Sequence, residues 1–272
     1  MKISLVNLSD NKIKEIPDYI NKLKKIWPEC EVINYVNEKD DYPKKIDKLI
    51  QAYNDDTNFI LCLNGGTTVI NLLSKEIISR LFNKIKETTK PIVGYSDIDH
   101  ISLYLSKKGY NTINGPCLKE LCEYYSSKEL EQLKLVLNKK EFNIPIKSHF
   151  NCQRVKGKII ASNIQILCMM HSKLGEGFLT DKILFLEDHT NDEKMIKYYI
   201  DFLSITGILK GVKAIVLGET RKCPEKSKLL EYMSMILTVP IISIENWIYL
   251  PNEWFCEVNE NKIIIKPQND KN

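Results

Sequence analysis

Arginine is almost missing from this chain. Arg80, Arg154 and Arg221 are the only ones among 39 basic residues, which stand against 35 acidic ones. Arginine is the side chain that forks onto phosphates and base edges. A net charge of +4 carried by scattered lysines therefore argues against a nucleic-acid partner. Histidine is scarce too. His100, His149, His171 and His189 form no zinc-ligand spacing. The eight cysteines, at 30, 62, 117, 122, 152, 168, 223 and 256, include no C-x-x-C pair. They read as reduced, packed thiols rather than as disulfides or metal ligands, and neither a metal nor a cofactor is expected. No apolar run is long enough for a helical membrane span. Met1 to Asn7 reads as a strand rather than a leader, so the expected location is cytoplasmic.

What remains is an ordinary globular composition. The chain has 272 residues, 43% hydrophobic and 27% charged, enough for a real core in one large domain or two modest ones. Strand-like and helix-like segments alternate through the first half. Residues 2–7, 32–35, 59–63 and 91–93 read as strands. Residues 18–26, 46–53, 75–87 and 98–106 carry apolar spacing suited to helices. The unbroken apolar run Phe59-Ile60-Leu61-Cys62-Leu63 suits a strand buried on both faces. This alternation predicts a parallel α/β sheet. Beyond Gly115-Pro116 the texture changes, and residues 140–151 read as a loop-rich boundary. Residues 127–138 read as a polar helix ahead of that boundary, and the second half mixes strands at 158–161, 182–186, 212–217, 240–244, 254–258 and 262–266 with helices at 163–170, 193–206 and 224–237. The expected fold class is α/β: an N-terminal parallel-sheet domain over 1–139 and a smaller mixed α+β domain over 151–272.

Three places can carry chemistry. Ser96 lies in Gly94-Tyr95-Ser96-Asp97-Ile98, a tight turn between a buried strand and a helix. A serine there stands at the carboxyl edge of the sheet, where open α/β folds place their sites. The helix N-terminus favours developing negative charge. Ile98 departs from the G-x-S-x-G elbow, and a plain helix N-cap is the alternative. Gly65-Gly66 also follows a buried strand, and its amides can cradle an oxyanion or simply make a turn. Glu187 and Asp188 end the strand Lys182 to Leu186, either as orienting carboxylates or as a solvated pair.

Taken together, the order of these blocks resembles the serine LD-carboxypeptidase family, which includes the microcin C self-immunity peptidases. The blocks are Gly65-Gly66, Lys90 to Ile98, Asn114-Gly115-Pro116, Lys182 to Asp188 and Val212 to Gly218, and the likeness runs from about 58 to 266. It implies a two-domain, metal-free hydrolase, usually a homodimer. Such an enzyme cleaves an amide bond beside a free carboxylate with a Ser-Glu-His triad at the domain junction. Ser96 matches the nucleophile and Glu187 the acid that orients the histidine. Gly66 and Asp97 match the residues whose backbone amides form the oxyanion hole. The implied ligand is a small peptide, such as a murein tetrapeptide, or a peptidyl-nucleotide.

The sequence also departs from that pattern. No histidine follows His189, whereas the family carries its catalytic histidine near the C-terminus, before a segment matched by Leu250-Pro251-Asn252. Asn114 stands in place of a histidine, and Tyr198 or Tyr199 in place of an arginine. The chain is short for the family, at the N-terminal serine segment and at the histidine loop. A serine without a base is a poor nucleophile, so the expectation is impaired hydrolysis or an inactive peptide-binding or scaffold relative. The possible replacement bases are His189, two residues past Glu187, and Glu245 in the shortened loop. His100 lies one helical turn beyond Ser96, with its side chain expected to point away from the elbow. His149 and His171 read as ordinary surface or packed histidines.

Overall fold

The computed structural model describes residues 1–10, 15–86, 89–123, 127–151, 154–223, 225–245 and 249–267. They form two compact units, Met1–Glu131 and Gln132–Asn272, the second slightly the longer.

In the first unit five strands make one sheet: β1 (Lys2–Val6), β2 (Glu31–Asn34), β3 (Phe59–Cys62), β4 (Ile92–Gly94) and β5 (Thr112–Asn114). All pair in parallel, in the order β2-β1-β3-β4-β5. The helices α1 (Ile16–Ile26), α2 (Tyr42–Asn54), α3 (Lys75–Lys84) and α4 (Asp99–Lys107) supply the crossovers, and α5 (Leu118–Glu123) follows β5. Local chemistry starts them where the chain needs to turn. Pro17 lies in the first turn of α1, the Asp41 side chain caps the Lys44 amide of α2, and the Ser74 hydroxyl caps the Ile77 amide of α3. Every residue of β3 is buried, as its unbroken apolar run requires. The strand order reverses between β1 and β3. In such sheets a crevice opens outside the carboxyl ends of the strands at that point, which here means residues 7–10, 63–68 and 95–98.

The second unit starts within α6 (Ser127–Leu137) and builds a mixed sheet from β6 (Phe142–Pro145), β7 (Ser148–Phe150), β8 (Val155–Asn163), β9 (Lys182–Asp188), β10 (Ala214–Thr220), β11 (Ile241–Ser243), β13 (Phe255–Val258) and β14 (Lys262–Lys266), with β12 a two-residue strand at Leu250–Pro251. The order is β6-β14-β13-β8-β9-β10-β11-β7. The centre, β8 to β11, is parallel, and both flanks are antiparallel. Helices α7 (Ile164–Leu174), α8 (Glu193–Ile205) and α9 (Lys226–Ile236) connect the parallel strands. One face packs Ile159, Ile183, Phe185, Ala214, Val216 and Ile242 into a single core. Asn163 ends β8 and caps α7 by accepting from the Gln165 and Ile166 amides. Asp192 caps α8 in the same way.

The stretch 140–151, read as a boundary loop, holds the two edge strands instead. Edge strands bury one face or none, and β7 is exposed throughout, so no apolar alternation marks it. The short β5 and α5 also escaped the sequence reading. Asn246, Trp247 and Ile248, in the shortened loop, and Cys152 lie outside the described residues. Among those described, no helix is long and apolar enough to cross a membrane.

Gly94 closes β4 against the turn that follows. A Cβ there would sit 2.8 Å from Ile98 Cγ2 and 3.1 Å from Ile98 Cβ. Gly94→Ala is therefore expected to destabilise the chain by about 1–3 kcal/mol through overpacking, read as a lower urea midpoint. Adding Ile98→Ala to Gly94→Ala restores part of the loss if this contact is the cause.

Candidate active site

Ser96 leaves β4 with φ of +61°. A non-glycine residue in that region is strained by roughly 1–3 kcal/mol, and such strain persists only where neighbours hold it. The turn continues as a 3₁₀ helix, Ser96–Ile98, into α4. Gly65 lies against this serine: a Cβ on Gly65 would be 3.5 Å from Ser96 Cβ and 3.6 Å from its Oγ. Ser96 and the Gly65-Gly66 turn thus meet at the carboxyl edge of the first sheet.

Asp97 binds the turn and the glycine loop together. Its side chain is buried, and its Oδ2 accepts from the Thr68 amide at 2.9 Å, the Val69 amide at 3.1 Å and the Ser9 hydroxyl at 3.3 Å. His100 does not stand clear of the turn. It folds back along α4, placing Nδ1 at 3.0 Å from the Asp97 carbonyl and 3.1 Å from Asp97 Oδ1, as helical side chains lean toward the N-terminus. Asn114, fully buried at the end of β5, donates to Asp99 Oδ1 at 2.8 Å.

No motif marks Ser9, Asp10 or Lys45, yet they come together at this sheet edge. Ser9 is buried beside Gly66, and Asp10 lies next to it. Ser9, Asp10, Asn7, Tyr42 and Lys45 line a cleft of about 260 Å³. The Lys45 ammonium donates to the Ser9 carbonyl, and burial pushes its pKa down. The available signal was position: residues 7–10 follow β1 at the same sheet edge as residues 63–68, while Lys45 reaches them from α2.

In the second unit Glu187 is buried at the end of β9. His189 Nε2 lies 3.5 Å from Glu187 Oε2 and 3.3 Å from Glu219 Oε2, so one imidazole faces two carboxylates. The approach of His189 holds the Glu219 carboxyl down to about 2, against partial burial and with help from Arg221. Glu219 had no sequence signal beyond its place at the end of β10, on the same sheet edge as Glu187. Lys226, at the start of α9, donates to the Ile244 carbonyl at 2.6 Å, and burial pushes its pKa down to about 8. Glu245 is on the surface, 3.6 Å from Lys147. His149 is exposed on β7. His171 is packed edge-on against Phe202 with Nδ1 on the Cys168 carbonyl.

Both halves of the chain match family models. Residues 3–115 match the LD-carboxypeptidase N-terminal domain and residues 156–244 the LD-carboxypeptidase C-terminal domain. The chain belongs to the LD-carboxypeptidase family. It is 25% identical over 235 residues to Putative carboxypeptidase RC0549 of Rickettsia conorii, covering 78% of this chain and 72% of that one. Among solved structures, muramoyltetrapeptide carboxypeptidase from Oxalobacter formigenes superposes with a TM-score of 0.82 at 19% identity, covering 98% of this chain and 100% of that chain. An MccF-like protein from Streptococcus pneumoniae, solved with AMP, gives 0.80 at 19% identity, with 98% of both chains covered. The microcin C7 self-immunity protein MccF, solved with aspartyl sulfamoyl adenosine, gives 0.76 at 15% identity, with 98% and 96% covered. At these identities the three structures establish the LD-carboxypeptidase fold.

The depressed Glu219 carboxyl sets a pH signature. Its folded value, about 2, lies below the ordinary 4.5, so the stability it lends is complete above about pH 4.5 and is lost as pH falls through 2. The difference in urea midpoint between the wild type and Glu219→Gln is expected to shrink from pH 5 to pH 2. A difference that stays constant over that range would contradict the His189–Glu219 contact.

Proposed function

We propose that this chain is a serine hydrolase of the LD-carboxypeptidase type, cleaving an amide bond beside a terminal carboxylate in a small peptide or peptidyl-nucleotide. Ser96 is the nucleophile, and the amides of Gly66 and Asp97 receive the oxyanion. The observation that carries this reading is the left-handed backbone of Ser96 at the end of β4, with Gly65 packed on its hydroxyl. A strained serine on a strand-to-helix turn is what a nucleophile elbow requires. Glu187 and His189 supply the acid–base pair: the contact between them supports His189 as the base in a chain with no later histidine, with Glu245 the remaining alternative. Two relatives, solved with AMP and with aspartyl sulfamoyl adenosine, favour a peptidyl-nucleotide over a bare peptide.

A second reading is binding without turnover, by an impaired or inactive relative. It is favoured by the absence of any histidine beyond residue 189.

A fluorophosphonate probe separates the two. The full-length wild type is expected to label, and Ser96→Ala to abolish labelling. His189→Ala is expected to slow it by at least about 100-fold, as loss of a triad base does. A folded wild type that does not label, yet binds aspartyl sulfamoyl adenosine in calorimetry, would establish the binding reading instead.

A further inference from the structure

The Ser9 hydroxyl occupies the space a side chain on Gly66 would fill. A Cβ on Gly66 would lie 1.6 Å from Ser9 Oγ, 2.9 Å from Ser9 Cβ and 3.2 Å from Asp10 Oδ1. Gly66 does not have the positive φ that demands glycine, so it is Ser9 that excludes a larger residue there. The same hydroxyl reaches Asp97 Oδ2 at 3.3 Å, and that oxygen also gathers the Thr68 and Val69 amides. Ser9, against Gly66, and the Asp97 carboxylate, on the Thr68 and Val69 amides, therefore hold the segment 65–69 together, with Asp97 one residue beyond Ser96.

A carboxylate one residue from the nucleophile opposes the negative charge that develops when a serine attacks a carbonyl. Its presence calls for a reason that outweighs this repulsion. Here the charge is spent on three donors, with His100 Nδ1 against the other oxygen, and Ser9 is fully buried. We propose that Ser9 and the Asp97 carboxylate are positioning residues that fix the Gly66 amide beside Ser96, so that the oxyanion hole is formed before substrate arrives. The proposal rests on Ser96 being the nucleophile. Preorganised donors of this kind act on the transition state and not on ground-state binding.

The test is the rate of phosphonylation of the full-length chain by a fluorophosphonate, in which the Ser96 oxygen bonds to phosphorus and fluoride leaves. Ser9→Ala is expected to lower the maximal rate about 10-fold and Asp97→Asn about 100-fold, on the scale of losing or misplacing one oxyanion donor. The probe concentration giving half the maximal rate stays unchanged, a split that general destabilisation does not produce. Gly66→Ala is expected to be as slow as Asp97→Asn, and the double variant Ser9→Gly with Gly66→Ala to recover at least about 10-fold of that loss, because the clash is removed. A wild type that reacts while Ser9→Ala matches it and the double variant stays as slow as Gly66→Ala would overturn the positioning role alone. This holds even if Asp97→Asn fails to fold. A wild type that does not react at all would instead remove the nucleophile reading, and this role with it.

Discussion

The left-handed turn at Ser96 is the constraint around which the first unit's loop edge is arranged. A serine at φ of +61° is held there only by what surrounds it. Below the turn, Ile98 packs so closely over Gly94 that a Cβ there would lie 2.8 Å from Ile98 Cγ2. Beside it, Gly65 rests on the serine side chain. Ahead of it, the Asp97 carboxylate draws in the amides of Thr68 and Val69. Three separate loops, following β1, β3 and β4, are tied together at one point. The strand order brings those loops to one edge, because β1 and β3 are neighbours at the place where the order reverses.

The second unit repeats the principle with other chemistry. β9 is buried along almost its whole length, so the carboxylate that ends it is buried as well. Parallel neighbours β8 and β10 bring Asn163 and Thr220 alongside. A buried carboxylate is costly unless polar groups face it. Here His189 does so, and Glu219 closes on the same imidazole from β10. Both units thus gather polar side chains at strand ends, each set by how deeply its strand is buried.

Much of the fold was legible because buried parallel strands leave unbroken apolar runs. Phe59 to Leu63 and Lys182 to Leu186 announced β3 and β9 directly. Helices were legible by their spacing, although α2 begins four residues ahead of its first apolar position, at a cap and a proline. The elements that escaped share one physical reason. β5 has three residues, and β6 and β7 are edge strands with little to bury, so neither length nor alternation marks them. Among the candidate site residues, the strand-end positions of Ser96, Glu187 and the glycine turn were legible from turn chemistry. Ser9 and Glu219 were not, since an isolated serine or glutamate has no local pattern.

The sequence by itself determined the α/β class, the family, the position of the serine turn and the glutamate that ends β9. Those properties are local or nearly so: apolar runs, turn residues and their order along the chain. Only the tertiary structure decided that Ser9 stands where a side chain on Gly66 would be, that Asp97 turns its carboxylate onto the glycine loop, and that His189 faces Glu187 and Glu219 together. Each of these joins residues from different strands. Strand order and register bring them together, and neither can be read from spacing along the chain.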